Sequence, residues 1–125
     1  MRHSELVGIK GTDLQITKLS LGSAPLGGLF RTVTDEESDE LIRFTLDSNI
    51  RYIDSAPLYG YGMSETRIGR IVKKSNKPHV LSTKVGRLLK AGKNQELDKW
   101  PGTDPNVEIY FDYTPDGIKK SLEAS

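Results

Sequence analysis

The amino-acid sequence predicts an α/β fold built on a parallel sheet, and three observations carry that expectation. Short apolar runs alternate with segments of helical period in the order strand, helix, strand, helix, strand, loop, helix, which is how βαβ units read in a sequence. Capping residues and glycine-rich turns fall at the joints between them. Three strand–helix units are too few to cover both faces of a parallel sheet, as such sheets require, so the chain reads as part of a larger fold.

Each element has its own local reason. Residues 5 to 18, ELVGIKGTDLQITK, hold two short stretches either side of Gly11-Thr12-Asp13, the pattern of a small hairpin. LSLGS follows as a short strand and runs into the glycine-rich APLGG. Thr34 and Glu37 stand three residues apart as a capping box, and Leu41, Ile42, Phe44 and Thr45 continue at helical spacing, so the expected helix spans 35 to 48. IRYID is the next strand, followed by a helix from about Ser64 to Val72 with Ser64 as its cap. After Pro78 comes the strand HVLSTKV, beginning at His79. Residues 86 to 113 mix Gly, Pro, Asn and Asp with little periodicity and read as one long loop, a length usually reserved for functional or mobile segments. Thr114 and Pro115 then start a last helix as N-cap and N1.

Composition narrows the function classes. Eighteen Lys and Arg nearly balance seventeen Asp and Glu in 125 residues, leaving no large field of one sign to attract nucleic acid or a membrane surface. Cysteine is absent, which removes disulfides and thiolate metal sites and fits a reducing compartment. MRHSELVGIK has no long apolar core, and no run approaches the roughly 18 apolar residues that span a bilayer. A cytoplasmic protein is the expectation.

The chemistry gathers at two strand ends. Alternation in NIRYID places Ile50, Tyr52 and Asp54 on one side of the strand, and Arg51, Ile53 and Ser55 on the other. In HVLSTK it places Val80, Ser82 and Lys84 together. Adjacent parallel strands lie about 4.8 Å apart, so Asp54 and Lys84 can meet at the C-terminal edge, where α/β proteins carry their chemistry. A phenol, with an ordinary pKa of about 10, is a poor acid at neutral pH, and an adjacent ammonium favours its phenolate form. Tyr59, on the turn five residues past Asp54, is within reach of such a site. The three would make a proton donor to a carbonyl, or in reverse an acceptor from an alcohol.

Plainer readings stand beside these. An isolated Asp–Lys pair is commonly structural, and Tyr59 and Tyr61 taken alone read as turn packing ahead of chemistry. Gly60 and Gly62 start a G-x-G, but Glu65 occupies the third glycine's place, and Gly22, Gly27 and Gly28 also miss the dinucleotide spacing. Trp100 reads as surface or hinge packing ahead of substrate contact. Lys73, Lys74 and Lys77 read as a solvated helix end favourable to the dipole.

Asp54, Tyr59 and Lys84, spaced D-x4-Y and Y-x24-K within RYIDSAPLYGYGMSE and LSTKVG, resemble the aldo-keto reductase family. The likeness runs from the hairpin through LSLGSAPLGG to FDYTPDGIKKSLEAS. STKVGRLL, the long loop and FDYTPDGI are similar to the branch of aldose, L-fucose and pyridoxal dehydrogenases. The resemblance implies a (β/α)8 TIM barrel with an N-terminal hairpin, of which residues 1–125 hold about three of eight units as one truncated domain. It also implies NADP or NAD binding without a Rossmann motif and a carbonyl, sugar or small-aldehyde substrate. Carried onto this chain, Tyr59 is the general acid/base, Lys84 its ionisation partner, and Asp54 the residue orienting Lys84; Gly22, Ser23 and Asp54 lie near the nicotinamide. The family's fourth catalytic member is a histidine closing the fourth strand. His3 is near the N-terminus, and His79 lies five residues before Lys84, roughly 16 Å away at about 3.3 Å per residue. That histidine is therefore expected beyond Ser125, and the isolated chain is expected to be inactive and poorly folded, a complete barrel taking roughly 250 residues. A second reading of the same resemblance is a non-catalytic nicotinamide-binding regulatory or interaction module.

Overall fold

Residues 2–125 are described by a computed structural model. Gly11, at φ +82°, turns the chain back so that β1 (Leu6–Gly8) pairs antiparallel with β2 (Gln15–Thr17), Leu6 opposite Thr17. The expected hairpin is present. Thr17, buried at its end, donates to Leu19 O (2.6 Å) and accepts from the amides of Arg51 (3.1 Å) and Tyr52 (3.3 Å). One hydroxyl thereby fixes the hairpin to the entry of a later strand.

Strands β3 (Ser20–Gly22), β4 (Tyr52–Asp54) and β5 (Val80–Ser82) form a parallel sheet in the order β3-β4-β5. Its register sets Gly22, Asp54 and Ser82 abreast at the C-terminal edge. Helix α1 (Asp35–Asp47) returns the chain from β3 to β4, and α2 (Met63–Val72) from β4 to β5. The capping box of α1 is closed in both directions, Thr34 N to Glu37 Oε2 at 2.8 Å and Glu37 N to Thr34 Oγ1 at 3.1 Å. Asp35, Glu36 and Glu37 add negative charge at the positive end of its dipole. Ile42 and Leu46 of α1, Ile68, Ile71 and Val72 of α2, Ile53 of β4 and Leu26 make one apolar core, with Leu21 packed against it. Burying each such side chain contributes about 1.5–3 kcal/mol. Because Ile53 faces this core, its neighbours Tyr52 and Asp54 face the other way, as the alternation requires.

Two expectations need correction. Ser64 does not cap α2: the N-cap is Gly62, at φ +87°, and the helix begins at Met63. Ser64 is fully buried and its hydroxyl is engaged elsewhere. Residues 86 to 113 are not a single loop. They contain β6 (Arg87–Ala91) and β7 (Val107–Phe111), antiparallel with Leu88 opposite Tyr110 and Lys90 opposite Glu108. The Gly, Pro, Asn and Asp that masked the pattern sit in the connection between them, whereas VEIYF is itself rich in strand formers. Lys90 and Glu108 pair across the ladder at 2.9 Å. Helix α3 (Pro115–Ala124) begins as expected, with Thr114 Oγ1 accepting from Gly117 N. Among the described residues no helix is long and apolar enough to cross a membrane.

The 3-10 turn Ala24–Gly27 after β3 and the turn after β4 meet backbone to backbone. A Cβ on Gly60, which has φ +66°, would overlap the Gly27 backbone, and one on Gly27 would overlap Tyr59 and Gly60. Gly60→Ala should therefore lose roughly 2–4 kcal/mol from left-handed strain and overlap together. Gly69→Ala, inside α2 with nothing within 4 Å of the added atom, should gain about 0.5–1 kcal/mol. Urea unfolding of the two variants in the whole protein measures the contrast, and equal effects would contradict it.

Candidate active site

Parallel pairing delivers Asp54 and Lys84 to one place. Lys84 Nζ donates to Asp54 Oδ2 at 2.8 Å and to Ser55 O at 2.9 Å. The same ammonium lies 4.9 Å from the centroid of the Tyr59 ring. Asp54, Tyr59 and Lys84 thus come together at the C-terminal edge of the sheet, with Lys84 between the other two.

The charges reinforce one another. Burial works against ionisation of Asp54, yet hydrogen bonds from Lys84 and Ser82, with the Lys84 charge, hold its carboxyl below the usual carboxylate value. Burial also works against the Lys84 ammonium, and the Asp54 carboxylate and Tyr59 phenol outweigh it, holding that amine above its usual value. Both groups are ionised at neutral pH.

Beneath the charged groups lies a serine cluster. Ser23, Ser55 and Ser64 are all buried. Ser64 Oγ is 3.0 Å from Ser23 O, 2.9 Å from Ser23 Oγ and 3.3 Å from Ser55 Oγ, and Ser23 Oγ donates to Asp54 O at 2.7 Å. Ser23 therefore stands beside the site with its hydroxyl turned into the protein. Gly22, directly opposite Asp54, is exposed, and a Cβ there would meet nothing within 4 Å. His79 makes a local contact with Lys77 O at the far end of β5.

Sequence reasoning left several participants without a role. Trp100 is buried and packs against Tyr59, ring centroids 6.1 Å apart at 31°, so it is interior packing, not surface. Tyr61 adopts φ +54°; burial first, then Glu96, pushes its phenol up. Arg67, an unremarked cation within an amphipathic helix, is buried and donates to Leu26 O (2.6 Å), Val33 O (2.7 Å) and Asp35 Oδ1 (2.9 Å). It ties α2 to the 3-10 turn and to the start of α1. Ser82 and Tyr52 also touch the site; strand alternation places them on its face, and the register between β4 and β5 decides what they bond.

The sequence model of the aldo/keto reductase family matches residues 18–125. This chain belongs to the aldo/keto reductase family. It is 38% identical to a pyridoxal 4-dehydrogenase of Microbacterium luteolum over all of this chain, which spans 40% of that protein. It is 35% identical to a D-threo-aldose 1-dehydrogenase of a Pseudomonas species over 90% of this chain and 36% of the relative. Among solved structures, the glycerol dehydrogenase AKR11B4 from Gluconobacter oxydans superposes with a TM-score of 0.73 at 28% identity, covering 96% of this chain and 34% of that one. The chain thus spans well under half the length of these aldo/keto reductases. Its parallel sheet and helices are part of the family's (β/α)8 barrel.

Linkage of ionisation to folding gives a pH test. Asp54 has its ordinary value of 3.8 when unfolded and a lower one when folded, so its stabilising contribution is full above that range and disappears as pH falls through the folded value. Asp35, Glu37 and Asp112 are lowered as well and act in the same direction. Stability should fall below about pH 4, and Asp54→Asn should make that fall shallower without removing it. Urea midpoints of the whole protein between pH 2.5 and 7 check this; an unchanged slope in the variant would count against ionised Asp54 as a stabilising partner.

Proposed function

We propose that the protein carrying this chain is an NAD(P)-dependent oxidoreductase that interconverts a carbonyl and an alcohol by hydride transfer, on a sugar or a small aldehyde. The observation that carries this reading is the Lys84 ammonium placed between the Asp54 carboxylate and the Tyr59 ring at the C-terminal edge of a parallel sheet. Membership of a family whose relatives include a pyridoxal and an aldose dehydrogenase supports it.

In this reading Tyr59 gives its phenolic proton to the carbonyl oxygen in reduction and takes it back in oxidation. Lys84 stabilises the phenolate left behind, and Asp54 holds Lys84 in place and balances its charge. The nicotinamide, when bound, supplies or accepts the hydride. The open face of Gly22 beside Asp54 fits a flat ring approaching the backbone. Ser23 would serve that end of the site by position, because its hydroxyl already bonds Asp54 O and Ser64. The histidine completing the catalytic set belongs in this proposal to a fourth strand beyond Ser125, so residues 1–125 alone would not turn over substrate. The proposal places the protein in the cytoplasm, acting on small molecules and needing neither nucleic acid nor membrane.

Tyr59→Phe in the whole protein tests the assignment. Carbonyl reduction with NADPH and NADH, and aldose oxidation with NADP and NAD, should fall about 10²–10⁴-fold, the usual share of positioned acid–base catalysis. Nucleotide binding, followed by fluorescence, should be kept. Turnover that survives the substitution would overturn the catalytic assignment, and nucleotide binding with no turnover in the unaltered protein would make it a regulatory binder.

A further inference from the structure

We infer that Ser82 and Tyr52 are positioning residues for the Asp54–Lys84 pair, a directed line of hydroxyls that fixes the carboxylate so that one particular oxygen meets the ammonium. The inference rests on the oxidoreductase reading above and extends it to two residues outside the Asp54, Tyr59 and Lys84 set.

The direction of the line follows from donor chemistry. An ionised carboxylate only accepts hydrogen bonds, and a serine hydroxyl has one proton to give. Ser82 Oγ lies 2.6 Å from Asp54 Oδ1 and spends its proton there. Tyr52 Oη, 3.0 Å from Ser82 Oγ, must then be the donor of that pair. Both hydroxyl protons point toward Asp54, Oδ1 is taken, and Oδ2 is left for Lys84 at 2.8 Å.

The backbone explains why these residue types sit where they do. Ser82 is the direct register partner of Asp54, and Tyr52 and Lys84 lie two residues before Asp54 and two after Ser82. Period-two alternation puts all four on one face. Asp54 keeps about a third of its side chain exposed (35%), so water competes for Oδ1 if Ser82 does not hold it. Among the described residues, Ser82 and Lys84 bond the Asp54 carboxylate, Tyr52 of its own strand bonds Ser82, and its register partner on β3 is Gly22, which has no side chain. Tyr59 reaches the carboxylate through Lys84.

The test compares Ser82→Ala, Ser82→Thr, Tyr52→Phe and Tyr59→Phe in the whole protein. With NADPH and 4-nitrobenzaldehyde, Ser82→Ala should lower kcat roughly tenfold, the effect of losing a hydrogen bond to a charged group, while KM for nucleotide stays within about twofold. The acid limb of kcat should move to higher pH, and Ser82→Thr should restore both. Tyr52→Phe should shift the limb the same way by less. Independently of turnover, carboxyl NMR titration of Asp54 without nucleotide should move upward in Ser82→Ala. If Tyr59→Phe abolishes turnover while Ser82→Ala leaves kcat, acid limb and titration unchanged, this inference alone fails. A kcat loss that follows only reduced thermal stability, with the unaltered acid limb and no rescue by threonine, makes Ser82 merely structural and also overturns it. Turnover indifferent to Tyr59→Phe removes the oxidoreductase reading itself.

Discussion

The site depends on a contact between two pieces of backbone that carry no side chain. Gly27 and Gly60 let the turns leaving β3 and β4 close on each other more tightly than any Cβ permits. Tyr59 immediately precedes this contact, so its position is set by the main chain before its ring packs on Trp100. Ser64 N then bonds Tyr59 O at 3.1 Å, which starts α2 directly from the turn and brings the Ser64 hydroxyl under Ser23 and Ser55. One helical turn later Arg67 reaches back to Leu26 O, on the other partner of the glycine contact. Prising the two turns apart would disturb phenol, serines and guanidinium together.

Two ion-pair systems on opposite sides of this sheet serve different ends. Arg67 keeps 7% of its side chain exposed and all three of its nitrogens are used. Asp35 is exposed, but the buried Arg67 charge is costly to leave without its partners, so this one is structural. Lys84 and Asp54 keep 51% and 35% of their side chains exposed. Pairs so accessible to water contribute little to stability. Their close geometry is held by the Ser82 hydroxyl and the Ser55 carbonyl, which keeps the pair together where water could separate it.

The sequence was most legible where a local rule and the tertiary structure agree. The Thr34 and Thr114 caps, the Gly11 turn and the alternation along β4 each have a mechanism confined to a few residues, and each appears as expected. Ser64 reads as a cap because serine before an apolar run is a common one, whereas here it is buried with its hydroxyl bonded to Ser23, 41 residues away. The β6–β7 hairpin was lost because its two strands are separated by polar connection and find each other only through cross-strand pairs such as Lys90 with Glu108. Asp54 and Lys84 were legible because Asp54 ends β4 and Lys84, two residues past the end of β5, keeps the parity of Ser82. Ser82 and Tyr52 share that parity, but their roles depend on register, which no window of one strand contains.

Register is also what such short strands are least able to guarantee. With three residues each in β4 and β5, the ladder supplies few hydrogen bonds, and a slip of one residue would exchange the two faces of β5. Thr83 would then stand opposite Asp54, and Lys84 would turn toward the helices. Side chains on both faces oppose that slip. On the helix side Thr83 Oγ1 donates to Glu65 Oε1 of α2 at 2.5 Å, and on the other side Ser82 and Lys84 hold the two oxygens of Asp54. The contacts that bring Asp54, Ser82 and Lys84 together are therefore among those that select this register, so the geometry of the candidate site and its local fold are specified by the same few groups.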